Sequence, residues 1–340
     1  MERRHAIRRG KRTMTVVAVS LLSFAFVLWG VATFMLGGTN VRYEGVNASL
    51  TNASAFPVGV DPREKRIVEV PNLDAYIERE GFAATRASSR QLTWVSRVMG
   101  QLALMDWFQN LASLSSRTLV IEPGERGEEV ADHFAKILGW SEDERAAFVR
   151  AVAQRTPAIR EGKFYPGRYT VPRDASPEAV ADAVLGSFTE NVLSRYATST
   201  AAAVPLQDAL TIASLLEREA YDFDDMRLIA GVIWNRLFIG MNLQIDATLQ
   251  YAKGTKPSEP WWPQVGPADK YIESAYNTYE NPGLPPAPIA NPSAEAILAA
   301  LNPKNTDCLY YFHDKKAGFH CAATYDEHVD LLKRYYGRGK

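Results

Sequence analysis

Two carboxylic acids set in an apolar run are the residues best suited to do chemistry. The stretch LQDALTIASLLEREA, Leu206–Ala220, carries Glu217 and Glu219. Wound as a helix, it puts Gln207, Thr211, Ser214 and Arg218 on a polar side. Leu206, Ala209, Leu210, Ala213, Leu216 and Ala220 form the opposite, buried side. Glu217 projects into the apolar arc and Glu219 sits at its border. A carboxyl group against apolar walls resists ionising, so its pKa rises. An acid that keeps its proton near neutral pH can donate it to a leaving oxygen. The two glutamates are roughly 200° apart around the helix and cannot form one catalytic pair. If one is the acid, the other is structural, and spacing alone does not choose between them. A plainer reading, in which both only pair with arginines such as Arg218 or Arg236, stays open at this point.

That helix opens the last segment of the chain, residues 204–340. Further helices are expected at Asp225–Phe238 and Asp246–Lys253, followed by a Pro-rich loop from Pro257 to Pro292. A loop of that length is more often functional than an idle connection. Asn291-Pro292 opens another helix through Leu301. The runs CLYYFHD and GFHCAAT read as the two strands of a hairpin, and a final helix begins at Thr324 with Glu327 completing a capping box. The only cysteines, Cys308 and Cys321, fall on those strands without metal-ligand spacing. They read first as two small core residues, with a bridge as the alternative. His320 and His328 have no partner at ligand spacing and are expected to be structural. No zinc signature, phosphate loop or dinucleotide fingerprint occurs, so no metal or cofactor is expected.

Upstream, residues 117–197 read as a small β-α-α-β module. TLVIEPGE is a short β run stopped by Pro-Gly, two helices follow at Glu128–Leu138 and Glu142–Gln154, and GKFYPGRYTVP is extended again. Ser176-Pro177 then starts a helix towards Leu193, with the N-cap serine and first-position proline that helix starts favour. TSTAAA, residues 198–203, reads as a hinge into the last segment. Residues 58–116 form an accessory region of uncertain kind, with one helix expected at Arg90–Ala112.

The N-terminus carries a different signal. Arg3, Arg4, Arg8, Arg9, Lys11 and Arg12 crowd a basic tail, residues 1–13, although the net charge of the whole chain is -1. That balance gives no field for nucleic acid. The uncharged apolar stretch Met14–Leu36 follows, and at ~1.5 Å per residue it covers the ~30 Å of a bilayer core. It is longer than the apolar part of a signal peptide. The expectation is one transmembrane anchor at 14–36, cytoplasmic N-terminus, and everything beyond outside the cytoplasm. Residues 37–57, small and polar, read as a linker leaving the membrane.

Several blocks together resemble one family. ASLLEREA is similar to the ASxxExE[TS] signature of MltG-type (YceG-like) lytic transglycosylases. VIWNRLFIGMNLQIDATLQYAKG, SAYNTYENPGLPPAPIANPSAEAILAALNP and LYYFHDKKAGFHCAATYDEHV follow in the family's order. EPGERGEEVADHF and EGKFYPGRYTV extend the resemblance upstream to about Thr118. It implies an α+β chain: an N-terminal transmembrane helix, a small LysM-like β-α-α-β module, and a mainly helical catalytic domain at 204–340 ending in a β-hairpin.

The resemblance also implies roles. The second glutamate of the signature, Glu219, becomes the catalytic acid and base. Asn235, Gln244, Asp246, Tyr276, Asn277 and Tyr279 match family motif positions and become substrate-binding candidates, their amides and hydroxyls suiting sugar hydroxyls and N-acetyl groups. For Asn235 a buried amide satisfying backbone groups is the equal alternative. The implied reaction cuts peptidoglycan glycan strands between N-acetylmuramic acid and N-acetylglucosamine without water, leaving 1,6-anhydro ends. It would occur at the bacterial inner membrane, in the company of cell-wall synthases. The chain departs from the pattern at Ala220, where Thr or Ser is usual, and at Ala247, where proline is common. No recognisable version of the family's LysM-like domain appears in residues 58–116. A non-catalytic peptidoglycan-binding scaffold on the same fold is the reading those departures motivate, and a hydrolase using Asp246 is the alternative chemistry.

Overall fold

The computed structural model describes residues 54–68, 70–79, 116–156, 158–255 and 259–337, all within a unit spanning Ser49–Lys340. The expected anchor at 14–36 and the expected helix at Arg90–Ala112 lie outside them. Among the described residues no helix is long and apolar enough to cross a membrane.

Two cores organise the fold. In the smaller, β3 (Ser116–Ile121) pairs antiparallel with β4 (Gly167–Pro172), Leu119 lying opposite Tyr169. Alternation along β3 buries Arg117, Leu119 and Ile121 on one face. α2 (Gly127–Leu138) and α3 (Glu142–Arg155) run between the strands, and α4 (Pro177–Asn191) follows them. Gly139 closes α2 with φ +70°, a conformation glycine adopts without steric cost. Ser141 and Glu144 cap α3 reciprocally, and the Ser176 hydroxyl caps α4. Phe134, Phe148, Val180 and Val184 fill the space between. The β-α-α-β order expected here is the order observed.

The larger core is built from α5 (Thr198–Ala203), α6 (Leu206–Glu219), α7 (Phe223–Ile239), α8 (Asp246–Lys253) and α9 (Ala294–Leu301). The expected hinge TSTAAA is therefore a helix. Alanine favours helix, and the buried Thr200 hydroxyl donates to the Phe56 carbonyl at 3.0 Å. α6 is buried continuously from Ala209 to Leu216, so its polar side does not face water as expected. Thr211 donates to the Gln207 carbonyl at 2.7 Å. Ser214 donates to Thr211 and accepts the Ile289 N–H from the Pro-rich loop at 3.0 Å. Those hydroxyls are satisfied by backbone, which lets α6 run through the interior. α9 begins at the N-cap Ser293, two residues beyond the expected start.

Phe56, near the end of the expected linker, is 2% exposed and belongs to this larger core. β1 (Val60–Asp61), paired with β2 (Arg66–Ile67), and α1 (Leu73–Arg79) add Val60, Leu73, Tyr76 and Ile77 to it. Asn302 fastens the layer by donating to the Pro57 carbonyl at 2.7 Å. The beginning of the 58–116 region thus packs as part of the main core.

The chain ends with β5 (Tyr310–His313) paired to β6 (Phe319–Ala322) and α10 (Tyr325–Tyr336), capped by Thr324 and Glu327 as expected. Cys308 and Cys321 form a disulfide with Cα atoms 5.8 Å apart. This corrects the reading of two separate core residues. The register sets Cys321 opposite Tyr311, which brings it within reach of Cys308 three residues earlier.

Candidate active site

Glu219 is the last residue of α6, just past the buried stretch. It is half-buried and faces a cleft of about 630 Å³. The Tyr311 hydroxyl on β5 donates to Glu219 Oε2 at 2.9 Å. The Ala247 N–H, in the first turn of α8, also donates to this carboxyl, which a proline at that position could not do. Burial dominates and holds the Glu219 pKa above its ordinary value. Tyr311 opposes it by stabilising the ionised form, neighbouring Asp246 reinforces it, and Ala247 and His313 oppose it more weakly.

Glu217 goes elsewhere. Its Oε1 accepts the Ser293 N–H at 2.7 Å, at the start of α9, and the Ser293 side chain adds a second hydrogen bond. Burial pushes this carboxyl to about 7. The divergence expected from a two-residue spacing is what the helix produces: one glutamate braces a neighbouring helix start and the other reaches the cleft.

Gln244, Asp246 and Tyr279 line the same cleft as Glu219. Gln244 has φ +51°, a left-handed conformation uncommon outside glycine, fixed by its N–H donating to the Thr278 carbonyl at 3.0 Å. Asp246 is exposed, and its Oδ1 accepts the Tyr279 hydroxyl at 2.6 Å. The Lys270 ammonium stands 4.8 Å from the centre of the Tyr279 ring.

The other candidates support the cleft rather than line it. The Asn235 amide donates to the Thr306 and Cys308 carbonyls at 2.7 and 3.1 Å, tying α7 to the approach of β5. Asn277 is fully buried. It donates to the Lys270 and Ile272 carbonyls at 2.9 Å each and accepts the Tyr279 N–H at 2.9 Å, so it shapes the loop that presents Lys270 and Tyr279. The Tyr276 ring lies 4.7 Å from that of Tyr251 and packs against the larger core.

Sequence reasoning missed Tyr311 and His313. Period-two alternation along LYYFHD was the available signal, because residues two apart share a strand face. His313 Nε2 lies 2.8 Å from Asp225 Oδ2, and its ring meets Tyr221 edge-on at 4.8 Å. Of the two histidines expected to be structural, His320 pairs with Asp314 at 2.9 Å, while His328 lines the cleft beside Tyr310. Arg236 also lines the cleft, with Nε donating to the Leu309 carbonyl at 2.6 Å. Among the described residues, Glu125, Glu129 and His133 have ligand atoms close enough for one ion. They are already engaged, His133 with Glu125 at 3.1 Å and Glu129 with the Trp262 indole at 3.3 Å.

Comparison with known proteins adds an independent line. The YceG-like family matches residues 96–334. A protein of Streptococcus pneumoniae strain D39 named endolytic murein transglycosylase is 34% identical over 158 residues, 46% of this chain and 29% of that one. A Bacillus subtilis strain 168 protein of the same name is 34% identical over 176 residues, 52% of this chain and 48% of that one. The matches thus span less than half the length of these curated relatives. A crystal structure of a yceG-like protein from Listeria monocytogenes superposes with a TM-score of 0.56 at 28% identity, covering 66% of this chain and 78% of that chain.

Proposed function

The chain belongs to the YceG-like family, and from that membership and the cleft around Glu219 we propose that it is a membrane-anchored endolytic transglycosylase of peptidoglycan. The observation carrying this reading is a carboxyl group held towards its protonated form by burial, at an open cleft lined by tyrosines, an amide and a carboxylate. Relatives bearing the name endolytic murein transglycosylase support the substrate class.

In the proposed reaction, protonated Glu219 donates its proton to the oxygen joining N-acetylmuramic acid to N-acetylglucosamine. As that bond breaks, positive charge grows on the muramic ring, and the ring's own 6-hydroxyl oxygen bonds to C1. The Glu219 carboxylate accepts the hydroxyl proton and is restored as the acid. The products are a 1,6-anhydro end and a free 4-hydroxyl, and no water is consumed. Tyr311 and Ala247 keep the carboxylate stable between its two proton transfers, which a general acid that must also act as base requires. Gln244, Asp246 and Tyr279 take the sugar's polar groups. The anchor proposed at Met14–Leu36, with the basic tail before it, leaves the cleft outside the cytoplasm beside cell-wall synthases.

Asp246 motivates a second reading. An exposed carboxylate in the same cleft is what a hydrolase would use to activate water. Incubating purified peptidoglycan with the wild type and with Glu219→Gln tests the first reading. Strand cleavage present in the wild type and lost in a folded variant is expected. Cleavage that survives the substitution removes Glu219 from the mechanism.

A further inference from the structure

The β5–β6 hairpin carries Tyr311, which hydrogen-bonds the Glu219 carboxylate from across the cleft, yet its strands are for the most part only partly buried, with Tyr311 and Phe319 packed against the larger core. Each strand has four residues, and Ala322 alone among them is buried. A two-stranded hairpin of this size is at best marginal by itself. Its two ends are secured differently. At the His313 end, the Asp225 carboxylate meets the imidazole at 2.8 Å, the Tyr336 hydroxyl donates to the His313 carbonyl, and the Phe312 ring packs on His328 and Tyr336. At the other end, Asn235 and Arg236 of α7 donate to the carbonyls of Thr306, Cys308 and Leu309 on the chain leading into β5, and the Leu309 N–H donates to the Ala322 carbonyl of β6 at 2.9 Å. The described contacts that carry this attachment across to β6 include one covalent link, the Cys308–Cys321 disulfide. Cys321 is the register partner of Tyr311, so the link ends directly across the sheet from that residue. Residues paired across a sheet share a face, and the Tyr311 ring also stacks on Phe319 of β6 at 5.9 Å.

We propose that the Cys308–Cys321 disulfide is a positioning element of the active site, which clamps β6 to the α7-bound approach of β5 so that Tyr311 stays on the Glu219 carboxylate. This rests on the reading of Glu219 as the acid. The bridge touches no substrate; it acts through Tyr311. Without it, β6 keeps its contacts at the His313 end but loosens at the Tyr311 end. The Tyr311 hydroxyl then spends part of its time away from Glu219 while the helical core stands.

The test compares wild type, Cys308→Ala/Cys321→Ala, Tyr311→Phe and the triple variant, with Glu219→Gln as the inactive control. For formation of anhydro ends, the bridge variant is expected to lose three- to tenfold in kcat with KM within twofold. The triple variant is expected to be no slower than Tyr311→Phe within twofold, because both changes remove one interaction. An unchanged kcat in the bridge variant, or losses that multiply in the triple, overturns the proposal. Should the double variant fail to fold, wild type treated with dithiothreitol replaces it. The dithiol hands two electrons and two protons to the bridge and becomes a disulfide itself, and far-ultraviolet dichroism checks the fold. Carbon-13 NMR titration of the Glu219 carboxyl decides the matter without turnover. Loss of the Tyr311 donor should raise its pKa in Tyr311→Phe, and by a smaller amount in the bridge variant, where the donor is lost only part of the time. A titration unmoved by bridge removal overturns the clamp. Absence of any Glu219-dependent product in the wild type, with the titration shifted as expected, instead overturns the catalytic reading and leaves the clamp standing.

Discussion

Replacing Glu217 by glutamine should make the protein's stability less sensitive to pH while leaving the cleft intact. Glu217 is braced on the start of α9 through Ser293, and burial raises its carboxyl from 4.5 to about 7. The folded state therefore holds this proton more tightly than the unfolded chain does. Burial costs nothing from ionisation below about 4.5, and the cost grows as pH rises through 7. At about 1.4 kcal/mol for each tenfold in acidity, the gap corresponds to about 3 kcal/mol, and the partial exposure of the side chain trims it towards ~2 kcal/mol. Glutamine keeps an oxygen for the Ser293 N–H and cannot ionise. Urea unfolding of wild type and Glu217→Gln at pH 5 and pH 8.5 measures the effect. Glu161, also raised to about 7 by burial, contributes equally to both proteins and cancels in the comparison. The variant's stability relative to wild type should improve by about 1–2 kcal/mol between the two pH values, since part of the cost is already present at pH 5. A difference that stays constant across this range refutes the reasoning, because the buried carboxyl would then carry no linked proton. The same variant should still cleave glycan strands, which separates Glu217 from Glu219.

Asn235→Ala removes two hydrogen bonds to the Thr306 and Cys308 carbonyls and should cost about 1–3 kcal/mol in urea unfolding, marking it as a structural amide. Gly231→Ala should be at least as damaging, because an added Cβ would stand 2.5 Å from the Lys304 carbonyl oxygen, where only backbone can yield; a lowered melting temperature checks it. Asp246→Asn removes a negative charge that raises the Glu219 pKa. The protonated acid then survives over a narrower range, so the alkaline limb of the pH–kcat profile should move to lower pH, with anhydro ends still formed.

Much of the site is legible in the sequence. Helix Leu206–Glu219 announced itself by its apolar spacing, and the opposed directions of Glu217 and Glu219 follow from a two-residue step on a helix. The loop that presents Tyr279 was legible as a long, proline-rich connection. Three features were not. Thr211 and Ser214 looked solvent-facing because a helical wheel cannot see that backbone from the Pro-rich loop will cover them. TSTAAA looked like a hinge because its composition carries no pattern, and its order comes from Phe56, distant in sequence. The face that Tyr311 shares with His313 could be read from alternation, but its place opposite Cys321, and with it the Cys308–Cys321 bridge, depends on the pairing register between the two strands. Asn235 and Asn277 show what a motif position leaves open: their amides hydrogen-bond the backbone around the site.

The most direct measurement is mass spectrometry of glycan fragments released by the wild-type protein in oxygen-18 water. If Glu219 works as general acid and base with the muramic 6-hydroxyl as nucleophile, the new ends are anhydro species, lighter than hydrolysis products by one water and free of the heavy isotope. Reducing ends carrying oxygen-18 would contradict this mechanism and assign the cleft around Glu219 and Asp246 to hydrolysis.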